Sequence, residues 1–440
     1  MQPYHARRAQ LIERMRANGG GVAVIPTATE VMRNNDVEYP FRHDSYFHYL
    51  SGITEPDAVI VLVAGARSRA ILFCRDKDPE REIWHGFRHG PEGARGHYGF
   101  DEAFAISALD DVLPTLLAEA PALYAGMGRD AAFDDRLHGW LHGLRRGARA
   151  GVRVPSVTHD VNMIMDEMRL LKSGDELGVM RRAAAISAEA HLRAMRATRP
   201  GLAEYQIEAE LIYEFHRQGA AAPAYPSIVA AGANACVLHH NPGRTRLRDG
   251  ELLLIDAGCE YDGYASDITR TFPANGVFSP AQREIYDIVL EAQLAAIAAV
   301  RAGAHVMSPH EAAVRVLAQG MLDTGLLKGD QAGSADDVVA GGGYRRFFMC
   351  RTSHWLGMDV HDVGGYREPG REAWRVLRPG MTLTVEPGLY IRPAPDVPER
   401  YWNIGVRIED DVAVTPSGGE VMSAGAPKSV DEIEAAMRGR

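Results

Sequence analysis

Cysteine is scarce in this chain. Four occur in 440 residues, at Cys74, Cys236, Cys259 and Cys350, too few and too scattered for a disulfide framework. There is no CxxC pair, which removes zinc ribbons and thioredoxin-like redox sites. Long apolar runs are missing as well. The longest, such as AVIVLVAGA at 58–66, fall far short of a membrane span. The opening MQPYHARRAQLIERM carries charges where a signal peptide needs an apolar stretch. A reduced, cytoplasmic protein is the expectation, with no membrane partner. A basic excess is also absent: 48 Lys and Arg face 58 Asp and Glu, a formal charge of −10. A nucleic-acid binder needs a positive field to meet phosphate, so that class is disfavoured. No GxSxG elbow, no GxxxxGK[ST] phosphate loop and no GxGxxG after a strand is present. HExxH fails too, because His310-Glu311 has no histidine four residues after the first.

What is present reads as an ordinary globular protein, 46% hydrophobic and 24% charged. Disorder or a coiled coil does not fit the whole, and the length exceeds one core, so two domains are expected. Residues 1–172 read as mixed α/β: a basic helix from Arg7 to Met15, then the strands GVAVIP, AVIVLVAG and AILFC. The boundary falls near Lys172. There Ser173 and Glu176 form an S-x-x-E capping box, and Leu177, Met180, Ala184, Ala188, Leu192 and Met195 recur at helical spacing up to Pro200-Gly201. Residues 173–440 hold a coarse repeat. Helices at about 174–198 and 203–218 lead to strands bearing His239, Asp256 and Asp267. Helices starting at Ser279-Pro280 and after Pro309 lead to strands bearing His354, His361, Glu386 and Glu409. The basic RRGAR at 145–149 reads as a solvated face.

Four segments carry acidic or imidazole groups. LLLID ends in Asp256, and SDITRTF follows the turn-rich GCEYDGY. Alternation puts Asp267, Thr269 and Thr271 on one face and Ile268, Arg270 and Phe272 on the other. A hairpin can return Asp267 beside Asp256, and adjacent carboxylates repel unless a proton or cation lies between them. Alone, the pair fits a metal site and a turn aspartate beside a solvated one equally well. SHWLGMDVHDVG (353–364) holds His354 and His361 among glycines, where a lone histidine is more often a packing residue than a ligand. In MTLTVEPGLY (381–390), Thr384 and Glu386 oppose Leu383 and Val385; in IGVRIEDDVAVT (404–415), Arg407 and Glu409 oppose Val406 and Ile408. For either glutamate separately, exposure at a sheet edge is the simpler reading. Taken together, Asp256, Asp267, His354, Glu386 and Glu409 make four carboxylates and one imidazole, a set suited to oxygen-loving divalent ions such as Mn²⁺. Two such ions can share a hydroxide and polarise a carbonyl, which is what amide hydrolysis requires.

These motifs resemble the pita-bread metallopeptidase family, most closely its bacterial aminopeptidase P (Xaa-Pro aminopeptidase) branch. The resemblance rests on IDAGCEYDGYASDITRTFP, SHWLGMDVHDVG, TVEPGLY and VRIED, spanning about 173–425, and more loosely on FRHDSYFHYLSG (41–52) and EIWHGFRHG (82–90). It implies an α/β (α+β) fold: an N-terminal mixed α/β domain (1–172) of aminopeptidase P type, then a catalytic pita-bread domain (173–440) with pseudo-twofold helix-helix-strand halves. It implies a dinuclear centre held by Asp256, Asp267, His354, Glu386 and Glu409, with Asp267 and Glu409 touching both ions. The ions would be Mn²⁺, with Co²⁺ or Zn²⁺ as alternatives. It places His239 and His361 on the substrate side, Arg407 in support of them, and Glu386 as the proton carrier. Tyr390 and Trp84 are implied at the substrate, Trp84 together with the 41–44 stretch completing a neighbouring subunit's pocket in a homo-oligomer (dimer or tetramer).

The implied reaction is release of the first residue from peptides with proline second. A prolidase acting on Xaa-Pro dipeptides shares the same ligands and is the main rival. A metal-free binding protein and a creatinase-like enzyme are disfavoured by the complete ligand set, and a methionine aminopeptidase by the first 172 residues. One departure stands out: Cys350-Arg351 replaces the His-Gly common in the family, which puts the pocket lining in doubt. Cys350 is expected to be a buried, inert thiol, and the sharper expectation makes it a thiol bordering the cleft and sensitive to alkylation. Of the adjacent His239 and His240, only one need point inward.

Overall fold

The computed structural model describes residues 3–328 and 332–438. The chain divides into two compact units, Met1–Glu167 and Met168–Arg440.

The first unit is built on one mixed sheet. Its strands are β1 (Gly21–Pro26), β4 (Val59–Ala64), β5 (Arg69–Cys74), β6 (Glu102–Ala105), β7 (Ala122–Ala125) and β8 (Val157–Asp160). They lie in the order β6-β5-β4-β1-β7-β8, with a separate small hairpin of β2 (Met32–Asn34) and β3 (Val37–Glu38). β1 is antiparallel to β4 and parallel to β7. The central strands read as continuous apolar runs because both their faces are covered. On one face Val22, Val24, Val61 and Phe73 pack against Leu109, Leu113 and Leu117 of helix α5 (Leu109–Leu117) and Trp140 of α6 (Ala131–Arg146). The expected basic helix is α1 (Pro3–Ala17), which buries Leu11, Ile12 and Met15. Of RRGAR, Arg145 and Arg146 end α6 in exposed positions and Arg149 is exposed in the turn that follows. The remaining helices of this region are α2 (Ser45–Ser51), α3 (Pro79–His85), α4 (Gly90–Tyr98) and α7 (Val161–Arg169).

The second unit contains the two helix-helix-strand halves expected. Helix α8 (Gly174–Ala197) opens on the Ser173–Glu176 capping box, with both reciprocal hydrogen bonds present. Helix α9 (Glu204–Arg217) follows. The second pair is α10 (Pro280–Ala299) and α11 (Ser308–Asp323). At the start of α10 the reciprocal cap of Ser279 is Gln282. The first half's strands are β9 (Ala222–Pro223), β10 (Ile228–Ala231), β11 (Leu252–Asp256), β12 (Cys259–Tyr261), β13 (Tyr264–Ala265) and β14 (Thr269–Pro273). They form the sheets β10-β11-β14 and β13-β12-β9. The second half has β15 (Thr382–Val385), β16 (Gly388–Ile391), β17 (Ile404–Arg407), β18 (Asp410–Thr415) and β19 (Gly418–Val421) in sheets β15-β18-β19 and β16-β17.

The seam between the halves runs through β14. Glu409 N–H donates to Thr269 O at 3.1 Å, and the Thr271 hydroxyl donates to Arg407 O at 2.9 Å. Arg270 points the other way, as the alternation predicts, into a fully buried pair with Asp410 at 2.7 Å. That guanidinium also donates to the carbonyls of Thr269, Glu409, Ala426 and Pro427, so the buried charge is well supplied with acceptors.

Candidate active site

Asp256 and Asp267 are brought together by a hairpin that the sequence only outlined. β11 and β14 pair antiparallel with Asp256 opposite Thr269, so Asp267 stands just outside the ladder. Between them the chain makes the small β12–β13 hairpin, turning at Asp262 and Gly263, both with φ in the left-handed region (47° and 76°). Gly258 permits the tight return: a Cβ there would stand 1.7 Å from Ser266 O.

The other three residues arrive from the second half. The backbone of His354 is clamped to β15, its N–H on Thr384 Oγ1 at 3.2 Å and its C=O accepting Thr384 N–H at 3.0 Å. Glu386 follows β15 directly and Glu409 lies between β17 and β18. Ligand atoms of Asp267, His354 and Glu409 lie within 4.8 Å of one another. Asp256 and Glu386 line the same cavity of about 650 Å³. Glu409 is 1% exposed, so edge exposure does not describe it. The strand is covered where β14 of the opposite half crosses it.

The imidazole of His354 is pre-oriented. Its Nδ1 bonds the carbonyl of Trp355 at 3.0 Å, which fixes the tautomer and turns Nε2 toward Asp267 Oδ2 at 3.3 Å and Glu386 Oε1 at 3.6 Å. This is the arrangement of a metal-binding histidine with its second nitrogen tethered. Burial would lower its pKa, but Asp267 and Glu386 outweigh that and raise it to about 9. Burial, reinforced by neighbouring carboxylates, pushes Asp267 and Glu409 up and brings Glu386 to about 7. So much buried negative charge around one imidazole and one guanidinium is the electrostatic signature of a cation site, and the donor set fits hard divalent ions.

Arg407 is the guanidinium. Its Nη2 meets Asp256 Oδ2 at 2.6 Å, Nη1 donates to the Tyr390 hydroxyl at 2.9 Å and Nε to Thr269 Oγ1 at 3.1 Å. Thr269 Oγ1 in turn donates to Glu409 Oε2 at 2.6 Å. Tyr390 is 2% exposed and stands behind the cavity wall with Arg407.

His239, His240 and His361 all line the cavity. His239 and His361 are exposed to it, whereas His240 is half-buried with Nε2 on Glu204 at 2.9 Å. Both members of the adjacent pair therefore border the cavity, and of the two only His240 is held by a hydrogen bond among the described residues. His361 stands edge-on to the His354 ring, centroids 4.4 Å apart at 85°. Burial, with His354 nearby, lowers its pKa. Cys350 and Arg351 are on the wall too. Cys350 is half-buried, and burial with the nearby Glu386 pushes its thiol up to about 12. Trp84 lies on α3 of the first unit and is 81% exposed.

Tyr225 has no counterpart in the sequence reading. Its hydroxyl sits between the two aspartates, 2.6 Å from Asp256 Oδ1 and in close contact with Asp267 Oδ1. The segment APAYPS has neither periodicity nor a motif that would single it out.

Residues 178–416 match metallopeptidase family M24, and residues 4–124 match the aminopeptidase P N-terminal domain. An Xaa-Pro aminopeptidase of Escherichia coli (strain K12) is 45% identical over 99% of this chain and 97% of its own. The structure of Pseudomonas aeruginosa aminopeptidase PepP superposes with a TM-score of 0.95 at 50% identity, covering 99% of this chain and 97% of that one. A glutamate-to-alanine variant of Escherichia coli aminopeptidase P in complex with substrate also superposes at 0.95, with 44% identity, covering 100% of this chain and 98% of that one. With both domains matched and the pita-bread halves in place, the chain belongs to metallopeptidase family M24, in its aminopeptidase P branch.

Proposed function

We propose that the protein is an Xaa-Pro aminopeptidase, releasing the first residue of peptides whose second residue is proline. One observation carries this reading: carboxylates from the first half and a histidine with two glutamates from the second converge on one cavity that also presents His239 and His361. Asp256, Asp267, His354, Glu386 and Glu409 would hold two divalent ions, Mn²⁺ by the hardness of the donors, with Asp267 and Glu409 shared. Such ions supply a hydroxide nucleophile at neutral pH and polarise the carbonyl.

The chain's own residues do the rest. His239 and His361 donate hydrogen bonds to the carbonyl oxygen as it gains negative charge. Glu386 carries a proton from the attacking water to the prolyl nitrogen while the C–N bond breaks. Arg407 fixes Asp256 and, through Thr269, the carboxylate of Glu409. Tyr390 acts on the substrate only through Arg407. Because an Xaa-Pro bond has no N–H to grip, recognition rests on the amino terminus and the ring, and the acidic cluster suits the amino terminus.

The assignment of residues 1–172 as the aminopeptidase P-type domain and 173–440 as the catalytic domain belongs to the same reading. Cytoplasmic residence agrees with four free cysteines and with the lack, among the described residues, of a helix able to cross a membrane. A homo-oligomer agrees with the exposed Ile83, Trp84 and Phe87 beside one another on and after α3. In such an oligomer Trp84 would complete a neighbouring subunit's substrate pocket.

Protein stripped by chelator should lose cleavage of Ala-Pro-Ala and regain it with Mn²⁺. Unchanged activity after stripping would overturn the metal reading, and equal cleavage of Ala-Ala-Ala the proline requirement. One observation favours the prolidase reading: Arg351 lines the cavity and has no carboxylate partner among the described residues, so it is available to the carboxylate of an Xaa-Pro dipeptide. Faster turnover of Ala-Pro than of Ala-Pro-Ala, lost in Arg351→Gln, would establish that alternative.

A further inference from the structure

His239 and His361 face the cavity, and neither ring makes a hydrogen bond among the described residues. Their aim therefore depends on the backbone that carries them. A donor for a developing oxyanion must stand ready at about 2.7–3.1 Å, and misplacement by about 1 Å can cost around a hundredfold in rate. In both cases the very next residue is tied to a buried charge outside the ligand set.

After His239 comes His240, whose Nε2 bonds Glu204 Oε2 at 2.9 Å. Glu204 opens helix α9 and is 0% exposed. Its second contact through Oε2 is Gly243 N–H at 2.9 Å, while Oε1 takes Ala231 N–H at 2.9 Å and Asn234 Nδ2 at 2.8 Å. One carboxylate thus pins both ends and the middle of the segment 231–243. A buried carboxylate is tolerated only when its acceptor positions are filled in this way. After His361 comes Asp362, with a buried side chain. Arg169 Nη2 reaches its Oδ1 at 2.7 Å and Lys172 Nζ its Oδ2 at 2.8 Å. Arg169 also holds Asp359 at 2.8 Å, so two points of the His361 loop are fixed by one guanidinium. Gly357 makes room for this: a Cβ there would stand 2.0 Å from Asp362 Oδ2.

We propose that Glu204 and the Arg169–Lys172–Asp362 cluster are positioning residues, each locking the backbone that immediately follows one substrate-side histidine. The proposal rests on the reading of His239 and His361 as substrate groups given above. None of these four residues touches the substrate. They act through the imidazoles, one cluster behind each histidine, and by charges of opposite sign: a buried anion behind His239, buried cations behind His361.

The test is a pair of double-mutant cycles on the full-length, Mn²⁺-loaded enzyme with Ala-Pro-Ala. Glu204→Gln and Asp362→Asn should each lower kcat/KM about 10- to 100-fold, mainly in kcat, because an interaction with the transition state is lost. On a His239→Ala background Glu204→Gln should have no further effect, while on His361→Ala its full effect should persist. Asp362→Asn should show the reverse pattern. Equal losses in both backgrounds, or no loss in the otherwise wild-type enzyme, would overturn the proposal. Full activity of His239→Ala and His361→Ala would remove the substrate-group reading itself and the proposal with it. Where Glu204→Gln or Asp362→Asn does not fold, His240→Ala breaks the bond that ties the residue after His239 to Glu204 and Lys172→Met removes one of the two cations on Asp362, and both are held to the same cross-pattern.

Discussion

Thr269 joins the two charges at the centre of the site through one hydroxyl, accepting from Arg407 and donating to Glu409. Replacing it by valine keeps the shape and removes both bonds. The Thr269→Val enzyme should lose about 1–3 kcal/mol of stability, the usual cost of unsatisfied buried polar partners, together with at least tenfold in kcat/KM; urea unfolding and steady-state kinetics check both. Glu409→Ala should go further and abolish turnover, since Glu409 belongs to the three-residue cluster. At this scale the sequence was partly readable. The alternation of SDITRTF assigned Thr269 and Thr271 to the face of Asp267, and Arg270 to the other, as observed. It could not tell what those faces meet, because Arg407 and Glu409 are about 140 residues away along the chain. Tyr225 was unreadable for a related reason. A single tyrosine becomes part of the site only when its hydroxyl is placed between two carboxylates.

The elements were legible where local rules act alone. The Ser173–Glu176 box opens α8 as written, and its hydroxyl accepts Glu176 N–H at 3.3 Å. Ser173→Ala should destabilise the second unit by about 1 kcal/mol, visible as a lower midpoint in urea with an unchanged slope. The starts of the four long helices of the catalytic half-repeats were placed within a few residues, since capping and apolar period are local signals. A short helix at Ala335–Gly341 was not anticipated. Helix α2 makes a separate prediction. His48, 7% exposed and stacked on His43 with centroids 3.8 Å apart, has its pKa lowered to about 3 by burial and by the neighbouring His43, Arg42 and Arg7. Above pH 6.5 the ring is neutral folded or unfolded and contributes no pH dependence. As pH falls below 6.5 the unfolded chain takes up a proton that the folded chain refuses, so stability declines by roughly 1.4 kcal/mol per pH unit until about pH 3. Thermal unfolding of His48→Gln between pH 6.5 and 4 should show a shallower decline than wild type.

The whole molecule carries its negative charge unevenly. Part of the formal −10 is concentrated in one buried cluster, where burial and repulsion push the carboxyl groups up. Divalent ions would bind the folded chain and relieve that repulsion, so stripping should lower Tm and Mn²⁺ should restore it. A ligand at a thousand times its Kd adds about 4 kcal/mol, a shift of several degrees in a unit of this size. Scanning calorimetry with and without chelator checks this apart from any assay of peptide cleavage.

By itself, the sequence determined the split into an α/β unit and a helix-helix-strand repeat and the faces of the segments at 267–272, 383–386 and 406–409, and it offered a set of candidate ligands. These follow from period, capping and residue chemistry, which need no partner. The tertiary structure alone decided that β14 crosses to residues 407–409, that His240 is tied to Glu204 while His239 is left exposed, and that Glu204 and Asp362 stand buried behind the two histidines. Each of these depends on contacts between segments far apart in the chain, and a buried charge reveals its purpose only once its partners are in place.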